Sequence, residues 1–224
     1  MPSTIANAPD HSSQMDRIYR VQRHFYDLTR KFYLFGRDRL IRTMDIRPGM
    51  NVLEIGCGTA RNLILLARKH PQARFYGLDA SREMLATAQK KIDSRKLADR
   101  ITLKYCLAEE LDYKRTFELN EKFDAMFFSY SLSMIPTWRA ALDAAFANVK
   151  PGHSIYSVDF WDQRELPAVF RKMLVWWLSL FHVHHRPELL EYMNELDTRG
   201  RCKLELTPLY RRYSYIARLA MQAS

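Results

Sequence analysis

The order of apolar and helical segments predicts an α/β domain: a mostly parallel, doubly wound sheet of seven strands, closed by an antiparallel C-terminal hairpin. Three observations predict it. Between residues 45 and 160, short apolar runs alternate with helical stretches of about a dozen residues, as parallel strands joined by crossover helices require. A Gly-x-Gly turn follows the first of those runs. The last two strand-like runs, 201–206 and 212–219, stand too close together for a crossover and should pair as a hairpin around Pro208.

The elements follow in order. Residues 1–14 are polar, rich in Ala, Ser and Pro, and read as a flexible tail. Residues 15–44 hold no proline and one glycine (Gly36), and read as one or two helices. After the Arg47-Pro48-Gly49 turn signal, Asn51 to Ile55 reads as a buried strand and Ala60 to His70 as a helix stopped by Pro71. A second strand runs from Ala73 to Leu78 and ends at Asp79; the next helix, 81–91, can be capped by Ser81. Strands at 101–107, 123–129 and 154–160 flank a helix at 138–149 that ends at Pro151-Gly152. The boundaries expected are a tail at 1–14, a helical lid at 15–44, and one domain at 45–224 with a helical cover at 164–196.

The chain has 224 residues, enough for one large domain, and 47% hydrophobic residues, enough to fill its core. A net charge of +10 favours a polyanionic partner, but many soluble proteins are basic without one. Cys57, Cys106 and Cys202 form no C-x-x-C pair, which argues against a disulfide framework or a zinc site. The longest strongly apolar run, 173–181, falls well short of the roughly 20 residues that a spanning helix needs. These features point to a cytoplasmic protein that can still lie on the inner face of a membrane.

Gly56-Cys57-Gly58 sits between a strand and a helix, where glycine lets the backbone turn tightly and a ligand come close. Glu54 precedes it by two residues, and Asp79 ends the next strand. Dinucleotide sites want a small residue where Arg61 stands, so a cofactor without a pyrophosphate fits better. S-adenosylmethionine is such a cofactor. Asp79 can accept both ribose hydroxyls, Ala80 and Met84 can flank the adenine, and Ala108 and Glu109 can meet its edge. Ser129 and Tyr130 would lie near the methionine end, and Cys57, Thr59 and Asn62 complete the turn and the start of its helix. The competing role for Asp79 is a helix cap ahead of Ser81-Arg82-Glu83.

From residue 45 to about 160 this pattern resembles the class I methyltransferases, whose Rossmann-like fold the resemblance therefore implies. One departure is Leu107, where many members carry an acid before the alanine. A closer resemblance lies in Met15-Asp16-Arg17-Ile18-Tyr19-Arg20, Arg23 to Tyr33, Gly36 to Leu40 and the Tyr213 to Arg218 ending. These stretches look like the betaine-lipid N-methyltransferase family. The resemblance implies three methylations of diacylglyceryl-homoserine to diacylglyceryl-trimethylhomoserine, with the enzyme that makes diacylglyceryl-homoserine as a functional partner.

Residues 15–42 carry eight Lys or Arg against three Asp, so the positive charge is concentrated there. Tyr19, Tyr26 and Tyr33 recur every seven residues on one helical face. Tyr19 suits packing; Tyr26 and Tyr33 suit the lining of an acceptor space, where their rings favour a growing positive charge. Arg37 suits a carboxylate, of the cofactor or of the head group. The aromatic stretch 166–193 fits either the headgroup region of a membrane or a cover over the sheet. His182, His184 and His185 have no acid or cysteine at ligand spacing, so no metal is expected. Other acceptors stay open on sequence: another phospholipid head group such as phosphatidylethanolamine, a soluble small molecule, or RNA. The RNA reading lacks an Asn/Asp-Pro-Pro-Tyr/Phe segment, since Ser129-Tyr130-Ser131-Leu132 stands there, and a non-catalytic relic is opposed by the intact Glu54, Gly56, Gly58 and Asp79.

Overall fold

A computed structural model describes residues 34–167 and 186–222. Its seven strands are β1 (Asn51–Ile55), β2 (Arg74–Asp79), β3 (Ile101–Tyr105), β4 (Phe123–Ser129), β5 (Val149–Phe160), β6 (Cys202–Leu209) and β7 (Ser214–Met221). Six helices are described: α1 (Arg37–Thr43), α2 (Arg61–Lys69), α3 (Arg82–Asp93), α4 (Tyr113–Phe117), α5 (Trp138–Asn148) and α6 (Pro187–Thr198). The sheet order is β3-β2-β1-β4-β5-β7-β6. The first five strands are parallel to one another, and β7 runs antiparallel to both β5 and β6. The expected seven-stranded architecture is therefore present.

Alternation within the strands explains the layering. Val52 faces one buried cluster with Leu63, Leu66, Ala88 and Ile92 from α2 and α3, and Leu40 and Ile41 from α1. Leu53 and Ile55 face the other, with Leu142 and Phe146 from α5 and Leu189 and Met193 from α6. Both faces are covered, so the central strands read as continuous apolar runs. Phe75, Phe123, Phe127 and Phe128 are fully buried, each stabilising the fold by about 2–3 kcal/mol relative to exposure.

Several boundaries differ from the sequence reading. β3 ends at Tyr105, and Ala108–Glu110 forms a short 3-10 turn instead of following a strand that reaches Leu107. β5 begins at Val149, where Phe123 pairs with it before the register shifts. Pro208 lies inside β6 opposite Tyr215, and the hairpin turns instead at Tyr210, Arg211 and Arg212, all with left-handed φ. Proline is tolerated there because β6 is an edge strand that needs fewer amide donors.

The described part of the expected lid belongs to the core. Leu34, Leu40, Ile41 and Met44 are buried, and α1 packs against β5 and α2. Tyr19, Tyr26, Tyr33, the 168–185 part of the expected cover and the three histidines lie outside the described residues. Among the described residues, no helix is long and apolar enough to cross a membrane, and no group of three His, Cys, Asp or Glu is placed to hold a metal.

Gly77 shows how tightly the layers meet. A Cβ there would lie 2.7 Å from Leu63 Cδ1, 2.8 Å from Cys57 Sγ and 2.9 Å from Leu103 Cδ2. Gly77→Ala should therefore cost about 2 kcal/mol through overpacking, seen as a fall in Tm of roughly 4–8 °C.

Candidate functional site

Strand order reverses direction between β1 and β4, and in open α/β sheets that parting leaves a crevice at the carboxyl ends of the strands. The turn after β1 enters it. Gly56, Gly58 and Ala60 all have left-handed φ (73°, 52° and 58°), and the Gly56 and Cys57 amides both donate to the Leu78 carbonyl. Gly56 is required twice over. Its φ favours glycine, and a Cβ would lie 2.5 Å from the Ser131 Cβ.

Ser131 belongs to the turn after β4. Tyr130 takes a left-handed φ of 55°, which breaks the strand and brings Ser131 beneath the glycine turn. There the Ser131 hydroxyl donates to the Ile55 carbonyl at 2.6 Å, tying the two strand ends together. Ser129 is buried, and its hydroxyl has no hydrogen-bond partner among the described residues. It stands at the mouth of the crevice, where a bound polar group would satisfy it.

Asp79 organises the other wall. One carboxylate oxygen accepts from the Gly58 amide at 2.8 Å and the other from the Ser81 amide at 2.9 Å. Ser81, not Asp79, caps α3, accepting from the Met84 amide. The competing role for Asp79 is thereby filled by its neighbour. Of the other residues expected around the cofactor, Met84 and Ala108 are buried, and Ala80 and Glu109 are half-buried. The buried Glu54 accepts from the Asn62 amide nitrogen at 2.7 Å, so the first turn of α2 holds its carboxylate. Thr59 is also buried. Burial, with the Asp79 and Glu54 carboxylates, pushes the Cys57 thiol well above its usual pKa, which leaves it a packing group instead of a nucleophile.

Two sequence expectations change. Arg61 stays out of the helix–strand contact; its guanidinium donates to Asp38 at 2.9 Å, joining α1 to α2. That bond, more than desolvation opposes it, holds Asp38 below the usual carboxylate range. Tyr130 is almost fully buried and packs on Phe160 with ring centroids 4.6 Å apart. Its hydroxyl donates to the Phe35 carbonyl, so its polar end is committed to anchoring the segment before α1. Arg37 follows directly, with Nε donating to the Leu34 carbonyl at 3.3 Å.

Ser131, Ser133 and Asp159 were not singled out from sequence. Asp159 is fully buried on β5 and accepts from the Ser133 amide, the Ser133 hydroxyl and the Phe160 amide. It thus holds the same turn that Ser131 pins to β1. The available signal was an acid within the apolar run Ile155 to Phe160. Burial pushes its pKa up to about 6, against those hydrogen bonds and the nearby Arg186 charge; Tyr130 and Tyr215 also face it.

The arrangement can hold a ligand carrying vicinal hydroxyls at Asp79 and a polar tail near Ser129, with the glycine turn between them. Residues 46–197 match a family model described as a methyltransferase domain. The demethylmenaquinone methyltransferase of Bacillus mycoides (strain KBAB4) is 31% identical over 124 residues, 55% of this chain and 50% of that protein. The chain spans between half and about three-fifths of the length of the first curated relatives it matches. An O-methyltransferase family protein from Burkholderia thailandensis superimposes with a TM-score of 0.71 at 17% identity, over 94% of this chain and 63% of that one. The S-adenosylmethionine-dependent methyltransferase SibL does so at 0.67 and 20% identity, over 97% and 64%. At these identities the superpositions speak for the fold.

The raised pKa of Asp159 makes a testable statement about stability. Its folded pKa of about 6 lies above the ordinary 3.8, so the stability it confers is full below about pH 4 and is lost as pH rises through 6. The stability difference, wild type minus Asp159→Asn, should accordingly fall by about 3 kcal/mol between pH 4 and 7 in urea unfolding.

Proposed function

The chain belongs to the methyltransferase-domain family, and we propose that this S-adenosylmethionine-dependent enzyme methylates the amino group of a membrane lipid, diacylglyceryl-homoserine. The observation that supports the donor half is the Asp79 carboxylate bonded to both the Gly58 turn and the start of α3. The acceptor half rests on the betaine-lipid resemblance and the net charge of +10. Two stretches of that resemblance, far apart in sequence, meet in the fold: the Ser214 hydroxyl donates to the Phe35 carbonyl at 3.4 Å, next to Gly36. A Cβ on Gly36 would strike Leu209 at 2.5 Å, so the contact needs a glycine.

S-adenosylmethionine supplies a methyl group activated on a sulfonium. The chain supplies binding and alignment. Asp79 takes the ribose hydroxyls with oxygen lone pairs left over from its two backbone bonds. Ala80 and Met84 flank the adenine, and Ala108 and Glu109 meet its edge. The Gly56 to Thr59 turn, with Cys57 packed behind it, lets the cofactor approach the backbone, while Asn62 holds Glu54 toward the same crevice. The Ser129 hydroxyl gains a partner at the amino-acid end. Tyr130 serves by fixing Phe35 and α1, and so the position of Arg37.

An ammonium has no lone pair, so the acceptor must be held as a neutral amine and its proton passed on. Tyr26 and Tyr33, which lie outside the described residues, are the sequence's candidates to line that space and favour the cation formed after each methylation. Arg37 pairs with the homoserine carboxylate or that of the cofactor. The acceptor lies in a membrane, which the protein meets peripherally from the cytoplasmic side.

A second reading has its own observation, the demethylmenaquinone methyltransferase relative; demethylmenaquinone then replaces the lipid amine as acceptor. Incubation with labelled S-adenosylmethionine and separate pools of amine lipids, demethylmenaquinone, RNA and small amines separates the cases. Label in diacylglyceryl-homoserine is expected. Label confined to the quinone favours the second reading, and label confined to RNA or small amines removes both.

Two substitution tests follow. Asp79→Ala should weaken cofactor binding at least tenfold, about 1.4 kcal/mol, in isothermal titration of the folded variant. Tyr26→Phe and Arg37→Ala should each lower turnover; wild-type turnover and cofactor affinity in both would remove both roles.

A further inference from the structure

Phe35 and Tyr210 are the most exposed of the large apolar side chains among the described residues, at 47% and 56%. They touch each other, with ring centroids 5.6 Å apart. Behind them the packing is rigid: Phe35 meets Tyr213 at 5.5 Å, Tyr213 meets Phe160 at 5.7 Å, and Phe160 meets the buried Tyr130. An exposed aromatic pair on so firm a base calls for a partner.

The backbone around Tyr210 is built to present it. Tyr210, Arg211 and Arg212 are consecutive left-handed residues, none of them glycine. Such strain persists only where neighbours enforce it. Here the Tyr213 amide bonds the Leu209 carbonyl, and the Gln163 and Trp161 amides bond the Arg212 and Tyr213 carbonyls. Arg212 is committed inward, donating to both oxygens of Asp162 and lying 4.1 Å over the Trp161 ring. Arg211 points out beside Tyr210, exposed and with no ion pair among the described residues. Arg39, in the first turn after Phe35, is likewise exposed and unpaired among them. Of the acids in these segments, Asp162 pairs with Arg212 and Arg164, and Asp38 with Arg61, while Glu165 stands exposed in the neighbouring turn.

Position gives the patch its meaning. Ser214 opens β7 opposite Phe160, the last residue of β5, so the hairpin tip stands at the carboxyl edge of the sheet. Gly56, Asp79 and Ser129 lie on that same edge. We infer that Phe35, Tyr210 and Arg211 dock the protein on an anionic membrane surface, so that its cofactor crevice faces the lipid. Aromatic rings settle at the headgroup level, and each cation near an anionic leaflet adds about fivefold in affinity. This rests on the lipid-acceptor reading for its purpose, though not for its geometry.

Sedimentation of the full chain with vesicles tests it. One set holds phosphatidylcholine alone, the other phosphatidylcholine and phosphatidylglycerol in equal parts; neither holds an acceptor. Preferential, salt-sensitive binding to the anionic set is expected. Arg211→Glu should weaken it roughly tenfold or more, and Phe35→Ser with Tyr210→Ser several-fold, with Tm kept near wild type. Lys69→Glu, in the last turn of α2 at the opposite edge, should bind as wild type. Should Arg211→Glu fail to fold, Arg211→Ser makes the same comparison without adding an acid. Equal binding to both vesicle sets, wild-type binding by the hairpin variants, equal loss in Lys69→Glu, or a patch that only pairs two copies of the chain or binds only RNA overturns the inference. Hairpin-dependent binding with no label entering any lipid leaves the docking surface standing and removes the lipid acceptor.

Discussion

The bond from the Ser131 hydroxyl to the Ile55 carbonyl joins the two strands that part to form the crevice, and the rest of the site is arranged around it. A parallel sheet opens where its strand order reverses, and the loops there are free to diverge. Ser131 limits that divergence. It sits so close to Gly56 that no side chain fits between, which forces glycine into the turn. Asp79 then accepts from the Gly58 amide of that turn and from the Ser81 amide beyond β2. Three strand ends are thus locked by short polar contacts at the carboxyl edge of the sheet.

The same turn is braced from the other side by Asp159. A carboxylate buried among Phe160, Tyr130 and Tyr215 is costly, and its elevated pKa records that cost. The three hydrogen bonds it accepts offset part of it and fix Ser133. Tyr130 carries the constraint onward to Phe35, which the hairpin also grips through Ser214. Phe35, just ahead of α1, is therefore held from the ends of both β4 and β7.

This divides the labour along the sheet. β1, β2 and the turns after them hold the groups that suit a methyl donor, as the methyltransferase-domain match over 46–197 accords with. β5, the closing hairpin and the segment entering α1 make the other half of the mouth. That half holds the exposed aromatic pair and the exposed Arg211.

Local sequence determined much of this protein. Alternating apolar runs placed all seven strands and the helices α2, α3 and α5 between them, though not the short α4, because burial on two faces leaves few polar positions. Glu54, Gly56, Gly58 and Asp79 were legible because each lies at a strand end whose position the apolar runs already marked. Boundaries set by register were not legible: Pro208 looks like a turn residue until its place on an edge strand is known, and β3 stops where its partner β2 ends. Nor could spacing separate Tyr130 from Ser129. They are adjacent, yet one leaves an unpartnered hydroxyl at the crevice and the other turns inward to Phe35, 95 residues away in the chain. Ser131, Asp159 and the Phe35–Tyr210 pair acquire their roles only from contacts between distant segments. The sequence by itself determined the sheet and the glycine turn, since period and backbone freedom are local properties. Tertiary structure alone decided what closes that turn and which aromatic groups face solvent beside it, since both depend on strand order.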